Sequence, residues 1–203
     1  MARPRASDFE EKRGSLLDAA AAVFAEQGME KASMSQIAAQ AGVSKALLYH
    51  YYPSKDALIF AIIQTHLTDL DDALAEAEDT SLAPPQLLEQ LVAAVLENYR
   101  GADNAHKVQL NAAKALSDEQ QAVLRAIERR IVGRFAAVIR LIRPDLAQGS
   151  PLLMPVTMSL FGMMNWVYMW FKDGGQISRD DYARLATQIL LGGIPSVTID
   201  PKA

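Results

Sequence analysis

The residues best equipped for chemistry in this 203-residue chain gather between Lys45 and Lys55, a stretch reading Lys45-Ala46-Leu47-Leu48-Tyr49-His50-Tyr51-Tyr52-Pro53-Ser54-Lys55. Ammonium groups, phenol hydroxyls and an imidazole set this close together are donors and acceptors of the kind that bond phosphate oxygens and base edges. Ser44 is a suitable N-cap, and Pro53 disfavours helical geometry in the residue before it, so the stretch predicts a helix from Lys45 to Tyr51. A helix so short and polar cannot bury Tyr49, His50, Tyr51 and Tyr52 together. Its outward face offers Lys45, Ala46, Leu47, Tyr49, His50 and Tyr51. Ser54 then caps a long helix to about Glu78, with Lys55 in its first turn. A cation there opposes the helix dipole, a placement that makes sense where it and the neighbouring N–H groups face a phosphate.

Elements that could hold such a helix lie immediately upstream. Ser33 opens a short helix through about Gln40, and Gly42 suits the left-handed residue that ends it. Two short helices that cross closely need a small residue at the crossing, here Ala38, and apolar wedges, here Ile37, Val43 and Leu48. This is helix-turn-helix spacing. Ser7 or Asp8 caps a first helix whose stripe of Leu16, Leu17, Ala20, Val23 and Phe24 runs to Gly28; Arg3 and Arg5 precede it as a short basic tail. The same pattern also describes two packed helices of an all-α enzyme or of a helical adaptor, and salt-sensitive affinity for DNA separates those readings.

The run Phe24-Ala-Glu-Gln-Gly28, followed by Ser35 through Leu58, resembles the DNA-binding head of the TetR family of repressors over roughly residues 9 to 60. The resemblance implies that the helix matching Lys45 to Tyr51 enters the major groove of double-stranded operator DNA. It implies that Tyr49 and Lys55 hold phosphates and that Lys45, Ala46, Leu47, His50 and Tyr51 face bases. Ser33 or Ser35 meets the DNA backbone at a helix start. It further implies a homodimer, since two reading helices must stand about 34 Å apart to meet successive major grooves. Where many relatives carry phenylalanine, this chain has Tyr52.

The remainder reads as helix at roughly 85–100, 104–116, 117–143, 150–172 and 178–191, an all-α body without a strand pattern. Residues 1–53 are expected to form a three-helix DNA-binding domain and 54–203 a larger helical domain for ligand binding and dimerisation. Lysine and arginine balance aspartate and glutamate through Phe60, so the net charge of −4 belongs to the body. With no cysteine, disulfides, thiolate metal sites and cysteine nucleophiles are excluded, and a cytoplasmic protein is expected. His50, His66 and His106 lack metal-ligand spacing, and no glycine-rich phosphate loop or Gly-x-Ser-x-Gly elbow occurs, which argues against an enzyme, a metal site or a cofactor.

Leu146 to Phe171 contains no charged residue, and Leu152 to Phe171 is long enough to cross a bilayer as a helix, yet Pro151, Pro155, Thr157, Ser159 and Asn165 stand against a span and no basic cluster flanks it. The favoured expectation is a helix buried on all sides, paired with a last helix striped by Tyr182, Leu185, Ala186, Ile189 and Leu190 in a dimer seam. Methionines and aromatics in this stretch suit an adaptable apolar pocket, with Asn165, Trp166, Met169 and Trp170 as ligand candidates and Tyr99 and Phe135 walling it. Asn165 is expected to bond either neighbouring backbone or a ligand, and His106 to be exposed and structural. The segment from Phe161 to Ser178 resembles TetR-type regulators of fatty-acid, steroid and aromatic-acid breakdown, which implies a small-molecule inducer such as an acyl- or aryl-CoA thioester.

Overall fold

The computed structural model describes residues 3–112, 116–146 and 150–198 and, in the first helix, the side chains from Phe9 onward. The described residues form α1 (Arg3–Gln27), α2 (Met34–Gln40), α3 (Lys45–Tyr51), α4 (Lys55–Ala77), α5 (Pro84–Asn98), α6 (Asp103–Asn111), α7 (Asp118–Ile142), α8 (Leu153–Asn165) and α9 (Arg179–Gly193), with no strand among them. The chain makes two compact units. One holds Met1–Thr68 and Gly101–Arg125; the other holds Asp69–Arg100 and Ala126–Ala203.

In the first unit α1 buries Leu16, Leu17, Ala20, Ala21, Val23 and Phe24, and α2 and α6 pack on it. It begins before the expected cap at Ser7 or Asp8, whose side chains, with those of Arg3 and Arg5, lie outside the described residues. Pro4 does not prevent the earlier start, because the first N–H groups of a helix lack intrahelical partners anyway. Ser33 caps α2 in a reciprocal box: its hydroxyl accepts from the Gln36 N–H at 3.3 Å while its own N–H donates to Gln36 Oε1 at 2.9 Å. At the other end of α2, the Gly42 N–H donates to Ala39 O at 3.1 Å and the Val43 N–H to Ala38 O at 3.0 Å. This paired closure needs a left-handed residue, and Gly42 supplies it with φ +65°. Ser44 Oγ accepts from the Leu47 N–H at 3.1 Å and starts α3; Ile37, Ala38 and Leu48 are buried where α2 meets α3.

In the second unit α5 buries Leu87, Leu88, Leu91, Val92, Val95 and Leu96, and α9, which buries Ala183 and Ala186, packs against it. Arg179, at the start of α9, is buried; its Nη1 donates to Leu96 O at 2.9 Å, supplying a partner to a carbonyl in the last turn of α5. Its Nε and Nη2 grip both Asp173 oxygens at 2.9 Å, and its guanidinium lies 5.1 Å from the Phe171 ring. The Asp173 carboxyl is held below the usual carboxylate range by its bonds to Arg179. On the second half of α4, buried Asp71 accepts from Arg130 Nε at 2.8 Å and from Arg134 Nε at 3.4 Å, and Arg134 also bonds Glu78, so α4 and α7 are joined by an ion-pair network.

One expectation is corrected here. The uncharged stretch is not one helix from 150 to 172: α8 stops at Asn165, and a 3-10 turn, Val167–Met169, follows. Tyr182 of α9 donates its hydroxyl to Met163 O at 3.1 Å, taking the carbonyl that Val167 would use to continue the helix, and Trp170 packs edge-on against Tyr182 at 5.0 Å. Among the described residues no helix is long and apolar enough to cross a membrane. Within the single chain the stretch keeps an apolar side open, the side that the expected dimer seam would cover. Met154 and Met158 on α8 and Trp166 just after it are exposed, and the α9 stripe divides, with Tyr182, Ala186 and Leu190 buried and Leu185 and Ile189 exposed.

Gly42→Ala is expected to destabilise the protein by about 1–2 kcal/mol, because the added Cβ meets open space but the backbone stays left-handed. Gly133→Ala, inside α7 and also open, is expected to stabilise it by about 0.5–1 kcal/mol. Urea unfolding of both variants checks the pair; equal shifts would show that left-handed geometry is not what Gly42 provides.

Candidate functional site

On α3 the side chains of Lys45, Ala46, Tyr49 and His50 are exposed, Leu47 and Tyr51 are half-buried, and Leu48 is the inward anchor. Lys45 Nζ stands 5.8 Å from the centroid of the Tyr49 ring one turn on, so an ammonium and a phenol share one surface patch. His50 meets the Tyr51 ring edge-on at 5.8 Å. Tyr52 turns inward; its hydroxyl accepts from Arg13 Nε at 3.3 Å, and burial raises its pKa. Of the four adjacent rings, therefore, three point outward wholly or in part. Ser33 and Ser35 are both exposed, Ser33 as the cap of α2 and Ser35 free of that duty in its first turn.

Lys55 carries a structural role that its sequence position did not reveal. Its Nζ donates to Glu30 O at 3.2 Å and Ala32 O at 3.3 Å, tying the loop between α1 and α2 to the start of α4. An ammonium has three hydrogens, so these two bonds leave it the capacity for a third acceptor.

In the second unit the proposed ligand residues fall into two groups. Tyr99, buried at the end of α5, donates its hydroxyl to Asn165 Oδ1 at 2.9 Å, and burial pushes the Tyr99 pKa up. Asn165 thus has a side-chain partner, which neither expected alternative included. Phe135 is fully buried, edge-on to Phe161 at 5.0 Å. Trp166, Met169 and Trp170 are instead 58, 56 and 46% exposed. Two open grooves lie elsewhere in this unit: one of about 580 Å³ between α5 and α9 with a mixed lining that includes Leu82, Glu89, Ala183 and Arg184, and an apolar one of about 300 Å³ beside Val156, Met163 and Ile189.

With this geometry in hand, known proteins give a consistent match. Residues 16–62 fit the model of bacterial regulatory proteins of the tetR family, and residues 81–194 fit the tetracyclin repressor-like C-terminal domain. The chain belongs to the TetR family. It is 32% identical to a TetR-family transcriptional regulator from Bordetella parapertussis, with a TM-score of 0.83 over 93% of this chain and 98% of that one. It is 26% identical over 95% of both chains to the transcriptional repressor KstR2 of Mycolicibacterium smegmatis. AibR, whose solved structure holds isovaleryl coenzyme A and operator DNA, shares the fold with a TM-score of 0.75 at 24% identity, covering 89% of this chain and 98% of that one.

This TetR-family regulator therefore places its helix-turn-helix in the first unit, and that unit also contains a feature the sequence reading missed. His106 is not exposed: it is buried on α6, with its ring 5.8 Å from that of buried His66 on α4. Burial, and secondarily the charge of His106, lowers the His66 pKa to about 4. Isolated histidines carry no periodic signal of this pairing. Folded His66 stays neutral where an unfolded histidine takes up a proton, so its contribution is neutral above about pH 6.5 and destabilising as pH falls from there toward 4. Urea unfolding is expected to show about 2 kcal/mol lost to this group between pH 7.5 and 5, and His66→Gln to flatten that slope. A variant with the wild-type slope would remove the assignment.

Proposed function

We propose that this chain is a repressor acting as a cytoplasmic homodimer on a pseudo-palindromic operator, released by a small-molecule inducer such as an acyl- or aryl-CoA thioester of a catabolic pathway. Residues 1–53 do the reading and 54–203 the sensing and dimerisation. The observation that carries the reading is α3 itself: a capped helix anchored by Leu48, with Lys45, Ala46, Tyr49 and His50 turned to solvent. In this reading Lys45, Ala46, Leu47, His50 and Tyr51 meet base edges, while Tyr49, Lys55 and Ser33 or Ser35 position the protein on phosphates. Apolar side chains at Met154, Met158, Leu185 and Ile189 support dimerisation, since their exposure is relieved when α8 and α9 meet a second copy.

The inducer class is supported by the isovaleryl coenzyme A held by AibR, together with the aromatic and methionine-rich surroundings of Tyr99, Phe135, Asn165, Trp166, Met169 and Trp170. A ligand can act only by preferring one arrangement of the dimer. Both α4 and α7 contribute residues to both units, and in this reading α4, which directly follows the reading helix in the chain, carries that preference to it.

Lys55→Ala is expected to weaken binding to every DNA sequence and to reduce the salt slope by about one, whereas Lys45→Ala and Tyr51→Ala also change sequence preference. Fluorescence anisotropy on selected and scrambled duplexes measures this; three variants with wild-type affinities would sink the assignment of α3. Titration with a panel of CoA thioesters is expected to release operator DNA, and neither binding nor release at millimolar ligand would dismiss this inducer class.

A further inference from the structure

Phe9 and Arg13 lie one turn apart on α1, and each holds one of two consecutive residues at the end of α3. Phe9 stacks on Tyr51 with ring centroids 5.0 Å apart and planes inclined by 27°. Arg13 Nε donates to the Tyr52 hydroxyl at 3.3 Å. Both positions continue, at helical spacing, the face that buries Leu17, Ala20 and Phe24 further along α1. Yet Phe9 is 46% exposed, an apolar ring among Glu10, Glu11 and Lys12. Its ring-to-ring contact is made with the outward-facing aromatic cluster of α3, where Tyr51 is flanked by Phe9 on one side and His50 on the other.

We propose that Phe9 and Arg13 are positioning residues for DNA reading, a clamp outside the helix-turn-helix that holds Tyr51 and Tyr52, and with them His50, in one orientation before DNA arrives. The proposal rests on α3 being the reading helix. The last turn of a seven-residue helix frays readily, and Tyr51 at its end would otherwise sample several rotamers. Pre-setting that ring lowers the ordering cost of binding. Hydrogen bonds to base edges are directional and tolerate little displacement, while phosphate contacts from Lys55 at the start of α4 are made from a different element. Loss of the clamp therefore costs discrimination between sequences more than it costs general affinity.

The test uses the full chain and its variants Phe9→Ala, Phe9→Tyr and Arg13→Ala, with affinity measured for a selected operator and for a scrambled duplex over a range of salt. Phe9→Ala and Arg13→Ala are expected to lower the operator-to-scrambled ratio about three- to tenfold, the scale of one aromatic or polar contact. The salt slope stays unchanged, and Phe9→Tyr, which keeps the stack, retains the wild-type ratio. An unchanged ratio in Phe9→Ala, or equal weakening on both duplexes, overturns the clamp. A fall in salt slope for Arg13→Ala overturns the positioning role of Arg13 by making it a phosphate ligand. Wild-type protein that cannot distinguish the duplexes would instead overturn the reading of α3, and the clamp with it.

Discussion

A helix of seven residues does not hold itself together in water, because nucleation costs more chain entropy than so few hydrogen bonds return. Both α2 and α3 are of this length, and everything this chain can do with DNA depends on how they are supported. Side-chain caps at Ser33 and Ser44 satisfy N–H groups at the two starts, Gly42 turns the chain between them, and Ile37, Ala38 and Leu48 are buried at the crossing. Each device is small. Together they leave one face of α3 free of structural duty, which is what allows an ammonium, an imidazole and phenol groups to stand in solvent.

Support for the first unit also comes from polar side chains acting at a distance in sequence. Lys55 bonds two carbonyls of the loop between α1 and α2, and Arg13 reaches Tyr52. His66 and His106 are buried with their rings 5.8 Å apart, and burial holds the His66 imidazole neutral well below the ordinary histidine range. The second unit uses arginine in the same manner. Arg179 serves a carboxylate, an α5 carbonyl and an aromatic face at once, and Arg134 bridges Asp71 and Glu78. The buried Arg179 guanidinium is tolerated because its donors are bonded; removing Asp173 would leave that charge without a counterion.

The uncharged chain around α8 illustrates how one composition fits several structures. Met154, Met158 and Trp166 recur at helical spacing on the exposed side, while Val156, Leu160, Phe161 and Met164 fill the interior. Hydropathy alone cannot separate a membrane span, a core helix and a helix with an interface, since all three are rich in the same residues. What distinguishes this one is that it ends after Asn165, where Tyr182 takes the Met163 carbonyl.

The sequence by itself determined the parts of this protein that rest on local chemistry. Caps at Ser33, Ser44 and Ser54, the left-handed turn at Gly42, the limits of α3 and the all-α fold were legible because each depends on residues a few positions apart. The residues facing outward on α3 were legible too, since a short polar helix with one inward leucine leaves few options. Only the tertiary structure decided that α6 joins the unit containing α1, that His106 is buried against His66, that Tyr99 bonds Asn165, that Trp166 is exposed, and that Phe9 reaches Tyr51. These contacts join residues dozens of positions apart, and which partner a side chain finds at that distance is set by how helices pack, a result of the whole core that no local pattern records.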